Sequence, residues 1–267
     1  MRSLPLLFCV SVCLCFPVLS HAALDWETAL DGDHRTGTNS DRDVFRHPKE
    51  TLEFFGLKED MTVVELAPGG GWYTEILAPL LRERGVYYAA HYDANGRSYY
   101  RRSLGTYLQK LGENDELYRS VKVTSLAPLD SMQVAPPESA DLVLAFRNIH
   151  SWMRSDTLSE TFNAAYAALK TGGVFGIVQH RAKDERSEEQ MKATGYVTEQ
   201  SVIAAAKAAG FVLDARSEVN ANPVDSADYE GGVWELPPAL RGDESTRAAR
   251  LATGESDRMT LRFKKGS

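Results

Sequence analysis

The chain has 267 residues, a net charge of −7 and a hydrophobic fraction of 43%. This length suits one large globular domain or two small ones, and internal repeats and low-complexity tracts are absent. The acidic balance argues against a nucleic-acid-binding protein, because a surface that neutralises phosphates is usually basic.

The first 22 residues have the pattern of a secretory signal peptide. Arg2 precedes an apolar run from Leu4 to Leu19, and Ser20-His21-Ala22 is a small-x-small cleavage site. A transmembrane anchor is the alternative, but the run is short and ends at a cleavable site. We therefore expect export to the periplasm or beyond, without stable membrane insertion. All three cysteines lie in this segment, so cleavage would leave no disulfide and no cysteine ligand.

Residues 23–60 are predicted to form an N-terminal cap segment. The stretch from Asp31 to Asp43 has little apolar content and is expected to be a loop. A helix is predicted from Pro48 to Phe55, because proline suits a first helical turn and Gly56 would end the helix.

A strand, a glycine-rich turn and a helix open the third predicted unit, residues 61–267. Val63-Val64 leads through Glu65 and Ala67-Pro68 to three consecutive glycines, Gly69, Gly70 and Gly71. Such glycines allow positive φ and let a ligand lie against the main chain. The sequence fails the dinucleotide pattern G-x-G-x-x-G in either register. The turn is therefore not predicted to bind a dinucleotide.

Strands and helices alternate through the rest of the chain. The helix after the glycines is expected to end at Gly85 and to be kinked or shortened by Pro79. The further predicted elements are strand 86–90, helix 97–111, strand 121–124, loop 127–137, strand 141–146, a helix capped by Ser155 and ended by Gly172-Gly173, strand 174–178, helix 198–209 and strand 211–213. This alternation predicts a mostly parallel sheet covered on both faces.

Residues 219–257 have no sustained period. A stretch this long and irregular is predicted to be an insertion that forms a lid or is partly disordered. Trp234 within it is a candidate to pack over the site. Residues 258–264 alternate apolar with polar and predict the final strand.

Polar residues follow two of the central strands. Arg147, Asn148 and His150 come after strand 141–146, and His180 and Arg181 follow strand 174–178. The carboxyl ends of parallel strands border the ligand crevice, so these side chains are candidates to position a substrate. His150 is also a candidate base near neutral pH. The alternative is structural, with Asn148 and His150 tying their loop together and His180 and Arg181 in a solvated loop.

Three segments resemble a group of exported bacterial proteins described as predicted methyltransferases: residues 63–80, 146–152 and 256–264. The likeness runs from roughly residue 33 to the C-terminus. It places the chain among class I S-adenosylmethionine-dependent methyltransferase-like proteins. It implies a Rossmann-like α/β fold with a doubly wound, mostly parallel sheet of seven strands. The last strand would be antiparallel and inserted between the fifth and sixth.

The resemblance implies S-adenosylmethionine as the cofactor. Class I methyltransferases use a motif similar to E/D-x-G-x-G-x-G, which Glu65, Gly69 and Gly71 match, with Ala67 in place of the first glycine. By the same resemblance, Asp93 would hold the ribose hydroxyls, although it could simply initiate a turn. Asp130 would meet the adenine amino group. The full implied cofactor-binding set is Glu65, Ala67, Gly69, Gly70, Gly71, Asp93, Asp130 and Phe146.

The resemblance also places the N-terminal segment across the mouth of the cofactor site. The candidate contacts there are His34, Arg35, Asn39, Arg42 and Asp43. A solvated loop at the edge of the sheet is the alternative for each. Arg147, Asn148, His150 and His180 would meet the methyl acceptor.

The leading hypothesis is methyl transfer from S-adenosylmethionine to a small acceptor, driven mainly by alignment of the reacting groups. Because this cofactor is made in the cytoplasm, an exported enzyme would need a supply. The alternative is therefore a non-catalytic exported binding protein with a nucleoside-type pocket. A metal-dependent hydrolase using His34, His91, His150 and His180 lacks spacings such as H-x-H or H-E-x-x-H, so no metal site is predicted.

Overall fold

The computed structural model describes residues 24–183 and 185–266. The signal peptide expected at residues 1–22 lies outside this range. The strands are β1 (Thr62–Leu66), β2 (Val86–Tyr92), β3 (Lys122–Ala127), β4 (Ala140–Phe146), β5 (Leu169–His180), β6 (Phe211–Ser217) and β7 (Arg258–Lys265). In the described part of the chain, no helix is long and apolar enough to cross a membrane.

Helices connect the strands on both sides of the sheet. They are α1 (Trp26–Asp31), α2 (Gly37–Ser40), α3 (Asp43–Arg46), α4 (Pro48–Phe55), α5 (Thr74–Leu81), α6 (Ser98–Glu113), α7 (Asp115–Tyr118), α8 (Ile149–Arg154), α9 (Leu158–Ala168), α10 (Glu188–Thr194), α11 (Glu199–Ala208) and α12 (Arg247–Thr253). Short 3-10 helices lie at Leu129–Ser131, Gly232–Glu235 and Glu244–Thr246.

The seven strands form one sheet in the order β3-β2-β1-β4-β5-β7-β6. β1 pairs in parallel with β2 and β4, and the pairs β2–β3 and β4–β5 are also parallel. β7 runs antiparallel to both of its neighbours, β5 and β6. The fold predicted for the chain, including the insertion of the last strand between the fifth and sixth, is confirmed.

Both faces of the sheet are buried. Successive side chains of a strand point to opposite faces, so Val64 and Leu66 of β1 belong to one hydrophobic cluster and Val63 to the other. Phe162 and Phe175 are among the large residues of the first cluster, and Phe55 belongs to the second. This two-sided burial explains the near-continuous apolar runs of the central strands.

Two predictions of helix boundaries were wrong. Gly172 and Gly173 do not end a helix, because α9 ends at Ala168 and both glycines lie within β5. Ser155 does not cap α9, which begins at Leu158. The Ser155 hydroxyl instead donates to the Ser151 carbonyl at the end of α8. Local signals for caps were present, but the paths of β5 and α8 were decided by tertiary packing.

The N-terminal segment is fastened to the sheet by Glu75 on α5. This carboxylate is fully buried and accepts hydrogen bonds from Arg35, Thr36, Asn39 and Lys110, at distances between 2.5 and 3.1 Å. The segment expected to be a solvated loop is therefore held against the body of the domain.

The insertion at 219–257 is fastened by a second buried carboxylate, Asp225. It accepts hydrogen bonds from the Tyr196 hydroxyl at 3.1 Å, from the main chain of Ala227 at 2.9 Å and from the main chain of Asp257 at 2.7 Å. The insertion therefore has a fixed course, although it contains little regular structure.

Gly176 of β5 is required by the packing of α4. A Cβ added there would lie 2.7 Å from the ring of Phe55, which is 1% exposed and cannot move aside. We expect Gly176→Ala to lower the free energy of unfolding by about 1–3 kcal/mol through overpacking. Urea denaturation would measure this. The control is Gly112→Ala on α6, where an added Cβ meets nothing within 4 Å. Equal stability of the two variants would contradict the packing argument.

Candidate functional site

A cavity of about 420 Å³ opens at the carboxyl ends of the central strands. It lies between the sheet, the N-terminal segment and the insertion. Its lining consists of Asn39, Arg42, Arg46, Glu65, Ala67, Pro68, Gly69, Gly70, Trp72, Tyr73, Phe146, Arg147, Asn148, His150, His180, Val233, Trp234, Leu236, Pro237, Pro238, Ala239, Glu255 and Ser256. This volume suits a small organic ligand.

The glycine turn offers bare main chain to this cavity. Gly69 has φ of 61°, and a Cβ added to Gly69 or Gly70 would meet nothing within 4 Å. Gly71 differs, because its φ is 83° and an added Cβ would lie 2.8 Å from Lys110 Cδ. Gly69 and Gly70 are therefore available to a ligand, whereas Gly71 is needed for the turn and its packing.

Glu65, at the end of β1, lines the cavity and is only 3% exposed. Tyr87 donates its hydroxyl proton to Glu65 Oε2 at 2.5 Å. Burial raises the pKa of Glu65 to about 7, although the hydrogen bond from Tyr87 acts in the opposite direction. The carboxyl group can therefore gain or lose a proton near neutral pH.

Arg147 follows β4 with φ of 62°, a conformation that is costly for a residue with a Cβ. Its half-buried guanidinium lines the cavity and makes no hydrogen bond or ion pair with any described residue. Burial lowers the pKa of Arg147. The positive φ and the guanidinium without a hydrogen-bond partner make Arg147 a candidate for ligand binding.

Asn148 joins the ends of two strands. Its amide donates to the carbonyl oxygens of Leu66 at 3.3 Å and Ala67 at 3.2 Å. These contacts fix the loop after β4 against the start of the glycine turn. Asn148 also lines the cavity, and its amide ties the loop in place, as the structural alternative proposed.

His150 is buried, and its hydrogen bonds assign its tautomer. The side-chain oxygen of Gln179 accepts from the main chain of Ile149, so the Gln179 amide nitrogen must face Gly195 O at 3.0 Å and His150 Nδ1 at 3.2 Å. His150 Nδ1 is therefore an acceptor, and the ring proton lies on Nε2. Burial, followed by the charges of Arg154 and Arg147, lowers the pKa of His150 to about 4. At neutral pH this side chain is therefore uncharged, with its proton on Nε2.

His180, at the end of β5, lies beside His150 with ring centroids 5.7 Å apart. Its Nδ1 is 2.5 Å from the Ser256 hydroxyl. Burial lowers the pKa of His180 well below its ordinary value, and the nearby His150 and Arg147 add to this effect. Both histidines are therefore neutral at physiological pH.

A cluster of arginines surrounds Glu255 at the cavity wall. The Nε atoms of Arg42 and Arg46 donate to this carboxylate at 2.6 and 3.1 Å, and Arg258 donates through Nη1 at 3.1 Å. Sequence reasoning named Arg42 as a candidate but missed Arg46 and Glu255. The resemblance at residues 256–264 pointed to this region without indicating the cluster.

The insertion supplies an apolar side to the cavity. Val233, Trp234 and Leu236 line it together with Pro237-Pro238. The Trp234 ring meets His150 edge-on at 5.6 Å, and the guanidinium of Arg154 lies over the same ring at 5.2 Å. Trp234 thus lies at the site, where the sequence suggested it could be.

Most of the predicted site residues lie together in this cavity. Those that line it are Asn39, Arg42, Glu65, Ala67, Gly69, Gly70, Phe146, Arg147, Asn148, His150 and His180. Those that do not are His34, Arg35, Asp43, Gly71, Asp93, Asp130 and Arg181, the last of which pairs with Glu218 and Asp257. Arg35 instead pairs with Asp43 and Glu75, and His34 donates to the Glu75 carbonyl. The functional roles of the residues in the cavity stay predictions.

The end of β2 differs from the arrangement that the resemblance implies. Asp93 Oδ1 accepts a hydrogen bond from the main chain of Asn95 at 2.6 Å, as expected if it initiates a turn. His91 occupies the strand end next to the glycine turn, with Nε2 3.1 Å from Gly69 O and its ring stacked on Tyr107. Asp130 is exposed. Neither aspartate lines the cavity, so the contacts of Asp93 with ribose and of Asp130 with adenine stay predictions.

A second cavity, of about 310 Å³, lies among the ends of β2, β3 and α8. Aromatic rings dominate it: Tyr92 stacks on Tyr100 with centroids 4.2 Å apart, and Trp152 also lines the space. It includes Ala127 and Leu129 from the loop that contains Asp130.

Within residues 24–183 and 185–266, no three histidine, cysteine or acidic side chains are grouped as metal ligands. Of the four histidines considered for a hydrolase, His150 and His180 are neighbours, whereas His34 and His91 belong to separate contacts with main-chain oxygens.

Comparisons with solved structures agree on the fold. An S-adenosylmethionine-dependent methyltransferase from Aquifex aeolicus has a TM-score of 0.53 at 20% identity, over 67% of this chain and 87% of that one. One from Methanosarcina mazei has a TM-score of 0.52 at 12% identity, over 80% and 96%. The [4+2]-cyclase SpnF has a TM-score of 0.53 at 14% identity, over 88% and 85%. No protein-family model and no curated protein matches the chain. The chain has the class I methyltransferase fold.

The neutral histidines make stability depend on pH. Because the folded-state pKa of His150, about 4, lies below the ordinary value of 6.5, the unfolded chain binds the extra proton between these values. Stability from this group is present above pH 6.5 and is lost as the pH falls toward 4, with a slope approaching about 1.4 kcal/mol per pH unit.

We therefore expect His150→Gln to reduce the fall in unfolding free energy between pH 7 and pH 5, as measured by urea denaturation. His34→Gln provides the control, since it removes a histidine that lies outside the cavity. An unchanged pH dependence in His150→Gln would contradict the assignment of a neutral buried ring.

Proposed function

We propose that the protein binds S-adenosylmethionine and transfers its methyl group to a small acceptor. The observation that carries this proposal is the bare main chain of Gly69 and Gly70, which faces a cavity that Glu65 also lines. Comparable solved structures are S-adenosylmethionine-dependent methyltransferases, which supports methyl transfer as the general chemistry.

The residues around the glycine turn fit the amino-acid end of this cofactor. Gly69 and Gly70 leave room for close contact with the main chain, and Glu65 offers a carboxylate to an ammonium group. The stacked rings of Tyr73 and Phe146, with centroids 3.5 Å apart, give the same cavity a flat apolar surface. The cofactor supplies a methyl group on a sulfonium, whose carbon–sulfur bond electrons return to sulfur as the acceptor takes the methyl.

The other half of the cavity would hold the acceptor. His150 presents a proton on Nε2, so it would orient the acceptor by donating a hydrogen bond rather than by removing its proton. The guanidinium of Arg147 has no hydrogen-bond partner among the described residues. Asn148 joins the ends of β1 and β4 through its amide. Alignment of the reacting atoms would provide most of the rate.

A non-catalytic binding protein is the second candidate, favoured by one observation. The strand end where the resemblance requires an acid for the ribose carries His91, whose ring is bonded to Gly69 O. One protein of the same fold is a [4+2]-cyclase, so the fold alone does not specify methyl transfer. Binding of S-adenosylmethionine without turnover on any acceptor would favour this candidate.

We also propose that the protein is exported, on the basis of the signal-peptide pattern at residues 1–22. An exported enzyme must meet S-adenosylmethionine outside the compartment where it is made. Detection of the cleaved chain in a periplasmic or secreted fraction would test export separately from activity.

Gly70→Val tests whether the glycine turn holds the ligand. A Cβ added at Gly70 meets nothing within 4 Å in the folded chain, so we expect the fold to be kept while the space for the ligand is filled. We expect the affinity for S-adenosylmethionine and S-adenosylhomocysteine, measured by calorimetry, to fall at least about tenfold, or about 1.4 kcal/mol.

The matched control is Gly112→Val, which adds the same side chain at an exposed position of α6 where a Cβ meets nothing within 4 Å. It should leave both affinities unchanged. If Gly70→Val binds both nucleosides as tightly as the parent protein, the proposed cofactor position is wrong.

Glu65 should release a proton when it meets the ammonium group of the ligand. Its pKa of about 7 lies above the ordinary value, so the carboxyl group is largely protonated at pH 6, and a nearby cation favours ionisation. Calorimetry at pH 6 in buffers of different ionisation enthalpy should report the release of up to one proton in the parent protein. Glu65→Gln should abolish this release. Identical proton counts in the two proteins would exclude the contact.

A further inference from the structure

The cavity carries more positive charge than its own carboxylates neutralise. Arg42, Arg46 and Arg147 line it, and Arg258 is buried behind them. Glu255 is the acid that Arg42, Arg46 and Arg258 share. The like charges are close enough that Arg147 and Arg42 both contribute to lowering the pKa of Arg258, to about 10, after the larger effect of burial. Within the described chain, this wall therefore has an excess of cations.

Hydrogen bonding at the same wall is also incomplete. Arg42 and Arg46 each use Nε for Glu255, and the Nη2 atoms of both are buried without a hydrogen-bond partner among the described residues. The Arg46 side chain is only 2% exposed, so water from outside is not freely available to it. Leaving such a donor unpaired costs free energy, and buried donors normally have partners.

The guanidinium of Arg147 makes no hydrogen bond or ion pair with a described residue, and its main chain is held with positive φ at the end of β4. Guanidinium groups bind carboxylates and phosphates through paired, charge-assisted hydrogen bonds. An anion in the cavity would supply acceptors to these groups and would reduce the repulsion among them.

S-adenosylmethionine does not balance this charge by itself. Its sulfonium and ammonium groups outnumber its carboxylate, so the bound cofactor would add a cation to a cationic wall. An acceptor with negative charge would make the combination of both ligands favourable. The excess charge thus has a direct bearing on which acceptors can bind.

We infer that the methyl acceptor is an anion, a small molecule whose carboxylate or phosphate group is held by Arg42, Arg46 and Arg147. That the bound anion is a methyl acceptor rests on the proposed function. That an anion binds at these arginines does not. Neutral His150 would then contact the uncharged part of the same molecule, next to the apolar side formed by Trp234.

Calorimetric titration with inorganic phosphate and with succinate tests the subsite, at constant ionic strength, with and without saturating S-adenosylhomocysteine. We expect at least one anion to bind the parent protein with millimolar affinity or better, and equally well or better when the nucleoside is present. The stronger of the two probes would distinguish a phosphate from a carboxylate ligand. Failure of both to bind would overturn the inference.

Two variants locate the binding. Arg147→Gln removes a cation that has no partner in the described chain, and Arg46→Met removes the buried one while Arg42 and Arg258 still pair with Glu255. Each should weaken the anion at least about tenfold and leave S-adenosylhomocysteine affinity unchanged. Arg119→Gln makes the same charge change at an exposed position that directly follows α7 and does not line the cavity, so it should have no effect. Should Arg46→Met fail to fold, Arg147→Gln decides the question.

The cofactor carboxylate is the competing source of the anion. If the variants weaken S-adenosylhomocysteine but not methylthioadenosine, which lacks the amino-acid part, the arginines hold the cofactor and the inference is overturned. Unchanged anion affinity in both variants would overturn it as well. If phosphate or succinate binds at these arginines while neither nucleoside binds the parent protein, the proposed function fails and the anion subsite stands.

Discussion

The ion cluster around Glu255 is the interaction on which the architecture of the cavity depends. This carboxylate joins Arg42 and Arg46, from the N-terminal segment, to Arg258 at the start of β7. Without it, three arginines would face one another in a buried space, and removal of one partner from such a group is strongly destabilising. Glu255 thus holds the N-terminal segment against the start of β7, because it offsets part of the positive charge of these arginines.

Burial has opposite effects on the acid and the bases of the cavity. It raises the pKa of Glu65 and lowers the pKa of His150 and His180, so all three are driven toward their neutral forms. The arginines remain charged because guanidinium is a much stronger base. The part of the cavity at these three residues is therefore largely neutral, whereas the part at the arginines is positive. This difference in charge can orient a ligand.

Sequence patterns predicted the sheet and the glycine turn, because buried parallel strands and φ-positive turns leave local signals at Val63-Val64 and Gly69–Gly71. The predicted end of strand 141–146 also placed Arg147, Asn148 and His150 at the crevice, where they line the cavity. The partnership of Arg46 with Glu255 left no such signal, since it joins residues that are 209 positions apart. The course of the chain at Gly172 and the turn at Asp93 depended on packing and on local hydrogen bonds, which residue types alone do not distinguish.

The great separation of Arg42 and Glu255 along the chain, 213 positions, has a consequence for the order of folding. Arg258 begins β7, which pairs with both β5 and β6, so the cluster is complete only when the whole sheet has formed. Without β7 in place, Arg42 and Arg46 would lack the acid that offsets their charge. Anion binding at these arginines would therefore require the fully folded chain.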